Sequence, residues 1–303
     1  MGNWLWQGLV AYFIWPGLLF AALLGWFFLW IARKLIARFQ GRFGPPFYQP
    51  FFDFVKLLGK RSLVPAGMDQ LLYYGLPLVA VISITLALGL MPLPGNGMRS
   101  FAGDLILVLY LMEMPAFCDI LAGFASRSIY GQVGSSREAV LVLGYSLPFL
   151  GSVIALAIKA GSFRLEDVIA QPFGLLHVLA IIAFVLAVPA RLKSNPFSIP
   201  NAEQEIVAGA HIEYNGPALA LFELTHGLEL VALALLFGLL FVPQMTNPII
   251  GLAAYLGAAL VLVVVTSLLA AATARLQIHR AFRFYWTWGA LAALACIAVA
   301  VIF

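Results

Sequence analysis

The chain has 303 residues, 63% of them hydrophobic and only 10% charged, with a formal net charge of +4 and a mean hydropathy of +1.00. A water-soluble domain carries roughly a quarter charged residues, so an ordinary soluble enzyme is excluded. The two cysteines, Cys118 and Cys296, sit far apart in apolar segments and cannot supply the ligands of an iron–sulfur cluster or zinc ribbon. They read as packing thiols, and redox chemistry is left to partners.

In chain order, apolar stretches of about 20 residues or more place eight transmembrane helices near residues 9–32, 71–92, 102–125, 138–158, 174–192, 217–242, 248–272 and 284–303. The first is expected to be retained, because no basic region precedes it and no small-residue cleavage site follows it. The long apolar run after residue 230 is divided in two by Pro243 and Pro248. Backbone groups in lipid must be satisfied within the protein. The expected fold is therefore all-α, one integral membrane domain over 1–303, without repeats or a soluble domain.

Basic residues decide the orientation. The connection after span 1 holds Arg33, Lys34, Arg38, Arg42, Lys56, Lys60 and Arg61; those after spans 3, 5 and 7 hold Arg127, Arg137, Arg191, Lys193, Arg275, Arg280 and Arg283. Only Arg99, Lys159 and Arg164 fall in the others. Positive loops stay in the cytoplasm, so the chain is expected in the cell's inner membrane with both termini outside. These loops account for the basic pI near 9.1 without a nucleic-acid partner.

The first basic loop reads Gln40-Gly41-Arg42-Phe43-Gly44-Pro45-Pro46-Phe47-Tyr48-Gln49-Pro50. A helix signal follows, with Pro50 suited to a first turn. Gln49, Asp53, Lys56 and Lys60 fall on one face and aromatic and aliphatic residues on the rest, the pattern of an interfacial amphipathic helix.

Charges inside the spans concentrate in two. Span 3 carries Asp104, Glu113 and Asp119; span 6 carries Glu223, His226 and Glu229. An ionisable group at the bilayer centre costs about 2.5–3.5 kcal/mol on insertion scales, so each should be paired, neutralised or functional. At 1.5 Å per residue Glu229 lies roughly 18 Å beyond Pro217, near mid-membrane. Pro115, two residues after Glu113, frees a backbone carbonyl that can admit water or a bend. The loop after span 5, Asn195-Pro196-Phe197-Ser198-Ile199-Pro200-Asn201-Ala202-Glu203-Gln204-Glu205 through Gly209, then His211-Ile212-Glu213-Tyr214-Asn215-Gly216-Pro217, sets three carboxylates in an apolar, proline-bracketed segment.

This loop resembles the Pro-Phe-Asp-Leu-Pro-Glu-Ala-Glu-x-Glu-Leu-Val-Ala-Gly signature of the complex I subunit 1 family. The first loop is similar to that family's Gln-x-Arg-x-Gly-Pro motif with its following Gln-Pro-x-x-Asp-x-x-Lys-Leu-Leu, and Gly134-x-x-Arg137 at the start of span 4 fits a third element. The direct run from Gly44-Pro45-Pro46 to Gln49, and Ser136-Arg137-Glu138-Ala139, resemble more narrowly the membrane subunit of group 4 energy-converting nickel–iron hydrogenases, of the formate hydrogenlyase and carbon-monoxide-linked types. Ser146 stands near where many relatives have a glutamate.

The resemblance implies an anchoring and coupling subunit with no active site or metal of its own. Its nickel–iron centre and iron–sulfur clusters would lie in partners: hydrogenase large and small subunits and a ferredoxin-like subunit, with antiporter-like subunits alongside in the bilayer. It implies docking of the soluble arm through Gln40, Arg42, Gln49, Asp53, Lys56, Lys60 and Arg137. Proton or sodium coupling would run through Glu113, Asp119, Glu138, Glu203, Glu205, Glu213, Glu223, His226 and Glu229. The alternatives are the quinone-binding subunit of a respiratory NADH dehydrogenase and, from another class, a free-standing secondary transporter.

Overall fold

A computed structural model describes residues 8, 10–94, 96 and 100–302. Among them every regular element is helical. α1 (Leu18–Phe39) follows a π-helical turn and, with it, forms one apolar segment, Val10–Phe39. The amphipathic α2 (Gln49–Leu58) comes next, then α3 (Gln70–Leu90), α4 (Asp104–Ala125) and α5 (Ile129–Ala160). A short α6 (Leu165–Ile169) precedes α7 (Leu175–Arg191), and a one-turn α8 (Glu203–Ile206) and a 3₁₀ turn (Gly209–His211) precede α9 (Gly216–Phe241). α10 (Pro248–Ala272) and α11 (Ile278–Phe284) follow, α11 running through a π-helical turn into α12 (Ala290–Ile302).

Among the described residues seven segments are long and apolar enough to cross a membrane, and α7, at 17 residues, is a shorter eighth. The protein is thus a multi-pass membrane protein of about eight spans. Local chemistry sets several boundaries. The Asp69 carboxylate accepts from Leu71 N at 2.8 Å and starts α3, and Asn247 does the same for Ile249 at 2.9 Å before Pro248, both ordinary N-caps. Gly161, at φ +62°, ends α5.

α9 is the axis of the bundle, with 89% of its most apolar stretch buried. It packs against α1, α3 and α10, while α5 packs against α7 and α12. A close crossing brings Gly25 of α1 against Gly227 of α9, where a Cβ on Gly25 would lie 2.7 Å from the Gly227 carbonyl oxygen.

Three expected boundaries are corrected. Span 4 begins at Ile129 rather than near 138, so Gly134, Arg137 and Glu138 lie within α5 rather than at its start. The first span runs on to Phe39 and the last begins at Ile278. In each case basic residues taken to mark a loop belong to the helix: Arg137 has a partner, whereas Arg38, Arg280 and Arg283 remain exposed at helix ends. Lys60 lies beyond the end of α2, so the polar face of that helix reaches only to Lys56.

Candidate functional site

One end of the bundle carries the basic connections, and there the loop between α7 and α9 folds back into the helices. Glycines make this possible. A Cβ on Gly134 of α5 would lie 2.7 Å from Ala210 N, and one on Gly123 of α4 only 2.0 Å from Ser135 Oγ. Gly209 adopts φ +56° and passes so close to the Pro200 carbonyl that a Cβ would sit 2.1 Å from it. The 3₁₀ turn therefore wedges between α4 and α5 and delivers His211, whose Nε2 lies 3.0 Å from Asp119 Oδ1.

Asp119 is the hub of a buried cluster. Its other oxygen accepts from the Lys193 ammonium, and the same ammonium lies 3.4 Å from Glu138 Oε1. Asp119 and Glu138 are 8% and 1% exposed. Burial alone would pull the Lys193 ammonium down, but Asp119 and then Glu138 more than offset it, so its pKa is raised. A raised cation keeps its full contribution at neutral pH and loses it only as pH climbs through the elevated value.

Deeper in α4, Glu113 accepts from Arg191, at the end of α7. Arg191 is 3% exposed, donates also to the Met112 carbonyl and lies with its guanidinium carbon 4.6 Å over the Phe149 ring, a cation–π contact. The turn loosened by Pro115 is thus occupied by a guanidinium. Glu229 is buried in the middle of α9 and makes none of the ion pairs found among the described residues. The charges that act on it most strongly are those of Lys193 and Arg191. An open polar cavity of about 540 Å³, lined by Gln40, Lys193, Asn195, Ser198, Gln204 and Arg275 among others, leads from the basic end to the cluster.

At the surface Glu205 joins three segments: Arg137 of α5 lies 2.6 Å from one oxygen and Arg275, after α10, 3.6 Å from the other. The hydrogen bond and charge of Arg137 hold the Glu205 carboxyl below its usual range. The contact is therefore complete at neutral pH and is lost as pH falls through that lowered value. Exposed pairs contribute about 0–1 kcal/mol, so Glu205→Gln should leave the thermal midpoint nearly unchanged. It should instead speed amide exchange across residues 203–207. Unchanged exchange there would show that the bridge does not hold the loop.

The residues singled out in the sequence do not form one site. Asp119 and Glu138 meet, Glu113 pairs with Arg191, and Glu205 pairs with Arg137. The Glu203 side chain lies outside the described residues. Glu213 is half-buried in the turn before α9 and joins none of the ion pairs described. Glu223 and His226 separate from Glu229. Glu223 opens into a second cleft of about 290 Å³ between α1, α2 and α9, where Asp53, Lys56 and Lys60 also face. His226, half-buried between the two places, feels first Glu223 and then Lys193. Asp53 is tied to Arg33 at 3.1 Å and to Gln49 at 2.8 Å, while Gln40 and Arg42 are exposed. Ser146 donates to the Val142 carbonyl at 2.7 Å.

The sequence reading missed Arg191, Lys193 and His211 as site residues. The first two were counted only as markers of orientation. The signal available was the match between two cations after an apolar span and two carboxylates within another. Among the described residues no three His, Cys, Asp or Glu side chains gather as a metal site would require.

An NADH dehydrogenase family profile matches residues 13–301. The chain belongs to the complex I subunit 1 family. Among its relatives is a subunit of the NADH-quinone oxidoreductase of Dehalococcoides mccartyi, 31% identical over 273 residues that cover 86% of this family member and 76% of the relative. Subunit 8 of the corresponding Thermus thermophilus enzyme is 34% identical over 239 residues, covering 73% and 66%. A subunit in the structure of the membrane-bound sulfane sulfur reductase, an archaeal respiratory membrane complex, superposes with a TM-score of 0.88 at 29% identity, covering 99% of this chain and 100% of that one. This complex I subunit 1 homologue is accordingly a membrane subunit of a complex I-like energy-converting assembly.

Proposed function

We propose that the chain is the coupling subunit of a group 4 membrane-bound nickel–iron hydrogenase. In this reading its basic end faces the cytoplasm and both termini lie outside the inner membrane. The exposed Gln40 and Arg42, with Arg137, receive a soluble arm carrying the nickel–iron and iron–sulfur centres, and antiporter-like subunits lie alongside in the bilayer. Hydrogen evolution above is linked to proton or sodium movement below.

The observation that supports the coupling role is a set of three separate charged contacts, Arg137–Glu205 at the surface, Lys193 with Asp119 and Glu138, and Arg191–Glu113 deeper in the bundle. Its members belong to different segments: the loop after α7, α4 and α5. A displacement of that loop by a partner would change the partners of Asp119 and Glu138 directly. Glu229, buried and without an ion pair, can hold or release a proton without breaking any of these contacts. The hydrogenase branch is supported by the short Gly44-Pro45-Pro46 connection and by Ser136-Arg137-Glu138-Ala139.

Glu229→Gln keeps volume and hydrogen bonding but removes the proton. Ion uptake linked to hydrogen evolution in inverted vesicles should fall about tenfold, equivalent to about 1.4 kcal/mol in a barrier. Dye-linked hydrogenase activity of the soluble arm should persist. Uptake within twofold of wild type would reduce Glu229 to packing.

A quinone-reducing reading is favoured by one feature, the cleft between α1, α2 and α9. Mass spectrometry of the detergent-solubilised complex separates the two readings: nickel–iron subunits support the proposal, whereas NADH-oxidising subunits with bound quinone overturn it.

A further inference from the structure

The cleft between α1, α2 and α9 joins an apolar floor to a rim of charges. Trp26, Leu29 and Leu224 form part of the floor, and α2 closes one side with Phe54 and Leu57. On the rim, Arg33 and Asp53 neutralise each other across 3.1 Å. Three charges then remain: Lys56, Lys60 and Glu223 all line the cleft and are exposed. Among the described residues no ion pair within 4.0 Å uses any of them, and the one carboxylate beside them on the rim, Asp53, is held by Arg33.

We propose that this cleft binds one phospholipid with an ethanolamine headgroup. Two ammonium groups without counter-ions suit a phosphate, the group by which basic pockets at a membrane surface hold lipid headgroups. Glu223, unpaired beside them, would repel a purely anionic headgroup but accepts hydrogen bonds from a primary ammonium. A choline headgroup has no N–H to donate. The cleft therefore matches a headgroup carrying a phosphate and a primary amine together. The source is the bilayer rather than a soluble zwitterion. The floor beneath the charges is apolar, and α2 carries the amphipathic pattern of a helix lying in the interface, so an acyl chain can lie against Trp26 and Leu29 while the head meets the rim.

The assignment does not rest on the hydrogenase reading; of its outcomes only a bound quinone bears on both, and the partner subunits then tell the two apart. The test uses the intact complex exchanged into vesicles containing ethanolamine, glycerol and choline phospholipids in equal parts, with native mass spectrometry of the retained lipid. Wild type should keep one ethanolamine phospholipid per copy, at least fivefold above its share of the vesicle. Glu223→Gln should move the preference to the glycerol lipid, and Lys56→Gln with Lys60→Gln should remove the retained lipid. These side chains are exposed, and Lys56→Arg with Lys60→Arg, which keeps both charges, should retain it. Lipid retained in the proportions of the vesicle, an unchanged preference in Glu223→Gln, or a quinone held one per copy in place of lipid would each overturn the proposal. None of these outcomes alters the list of partner subunits by which the hydrogenase reading is judged.

Discussion

Lys193→Met is expected to prevent the folded protein from accumulating in membranes. The substitution keeps most of the side-chain volume but leaves Asp119 with His211 alone and Glu138 with no ion-pair partner among the described residues, both carboxylates being buried. Removing one partner of a buried pair costs about 3–5 kcal/mol, a large part of the roughly 5–15 kcal/mol that holds a protein folded. The cost falls when the charge left behind is removed too. Lys193→Met with Asp119→Asn should therefore recover a substantial share of the membrane level and of the thermal midpoint in detergent. A stable single variant with a wild-type midpoint would mean that water or a partner already screens the cluster.

The second large effect is expected at Glu113. Truncation by Glu113→Ala leaves the Arg191 guanidinium, buried at the end of α7, without its carboxylate, with a penalty of the same order. Glu113→Gln should be milder, since its amide oxygen still accepts the hydrogen bond. Adding Arg191→Leu to Glu113→Gln should restore stability beyond either single change, a coupling that a double-mutant cycle measures directly. Additive effects would deny the pair. This order of stability, alanine worst and the double variant best, must be established before any loss of ion movement at Glu113 is assigned to proton transfer.

Most of the architecture was legible in the sequence because hydrophobic length is a strong signal: eight spans and an amphipathic helix after the first were all read from it. The ends of the first and last spans were misplaced because Arg38, Arg280 and Arg283 extend the helix into the surface. The start of α5 was misplaced because Arg137 and Glu138 lie inside the helix with partners supplied by a distant segment. Pairing of that kind is a tertiary fact. The stripe Glu223, His226, Glu229 was legible as helical spacing, yet its residues turn to two different places, because α1 and α2 cover one side of α9 and the charged cluster the other. Lys193 and Arg191 were visible only as orientation signals, since nothing local distinguishes a lysine in water from one folded back onto a carboxylate. The glycine wedge was present as glycines in the motifs, but the reason for them needs the 3₁₀ turn between α4 and α5.

The polar cavity that reaches Lys193 from the basic end, together with the shortness of α7, also shapes the electric field. Water and mobile ions in that cavity carry the potential of the basic side inward, so little of the transmembrane voltage drops across the Lys193 cluster. Nearly all of it falls across the remaining apolar thickness, from Arg191 and Glu229 to the opposite face. Moving one elementary charge through the full voltage changes its energy by about 2.3 kcal/mol per 100 mV. Exchange of a charge between the cluster and the basic side is thus almost insensitive to membrane potential, while any transfer onward bears nearly the whole of it. On the proposed coupling role, imposing a voltage on vesicles should act on transfer beyond Arg191 and Glu229 and spare exchange at the Lys193 cluster.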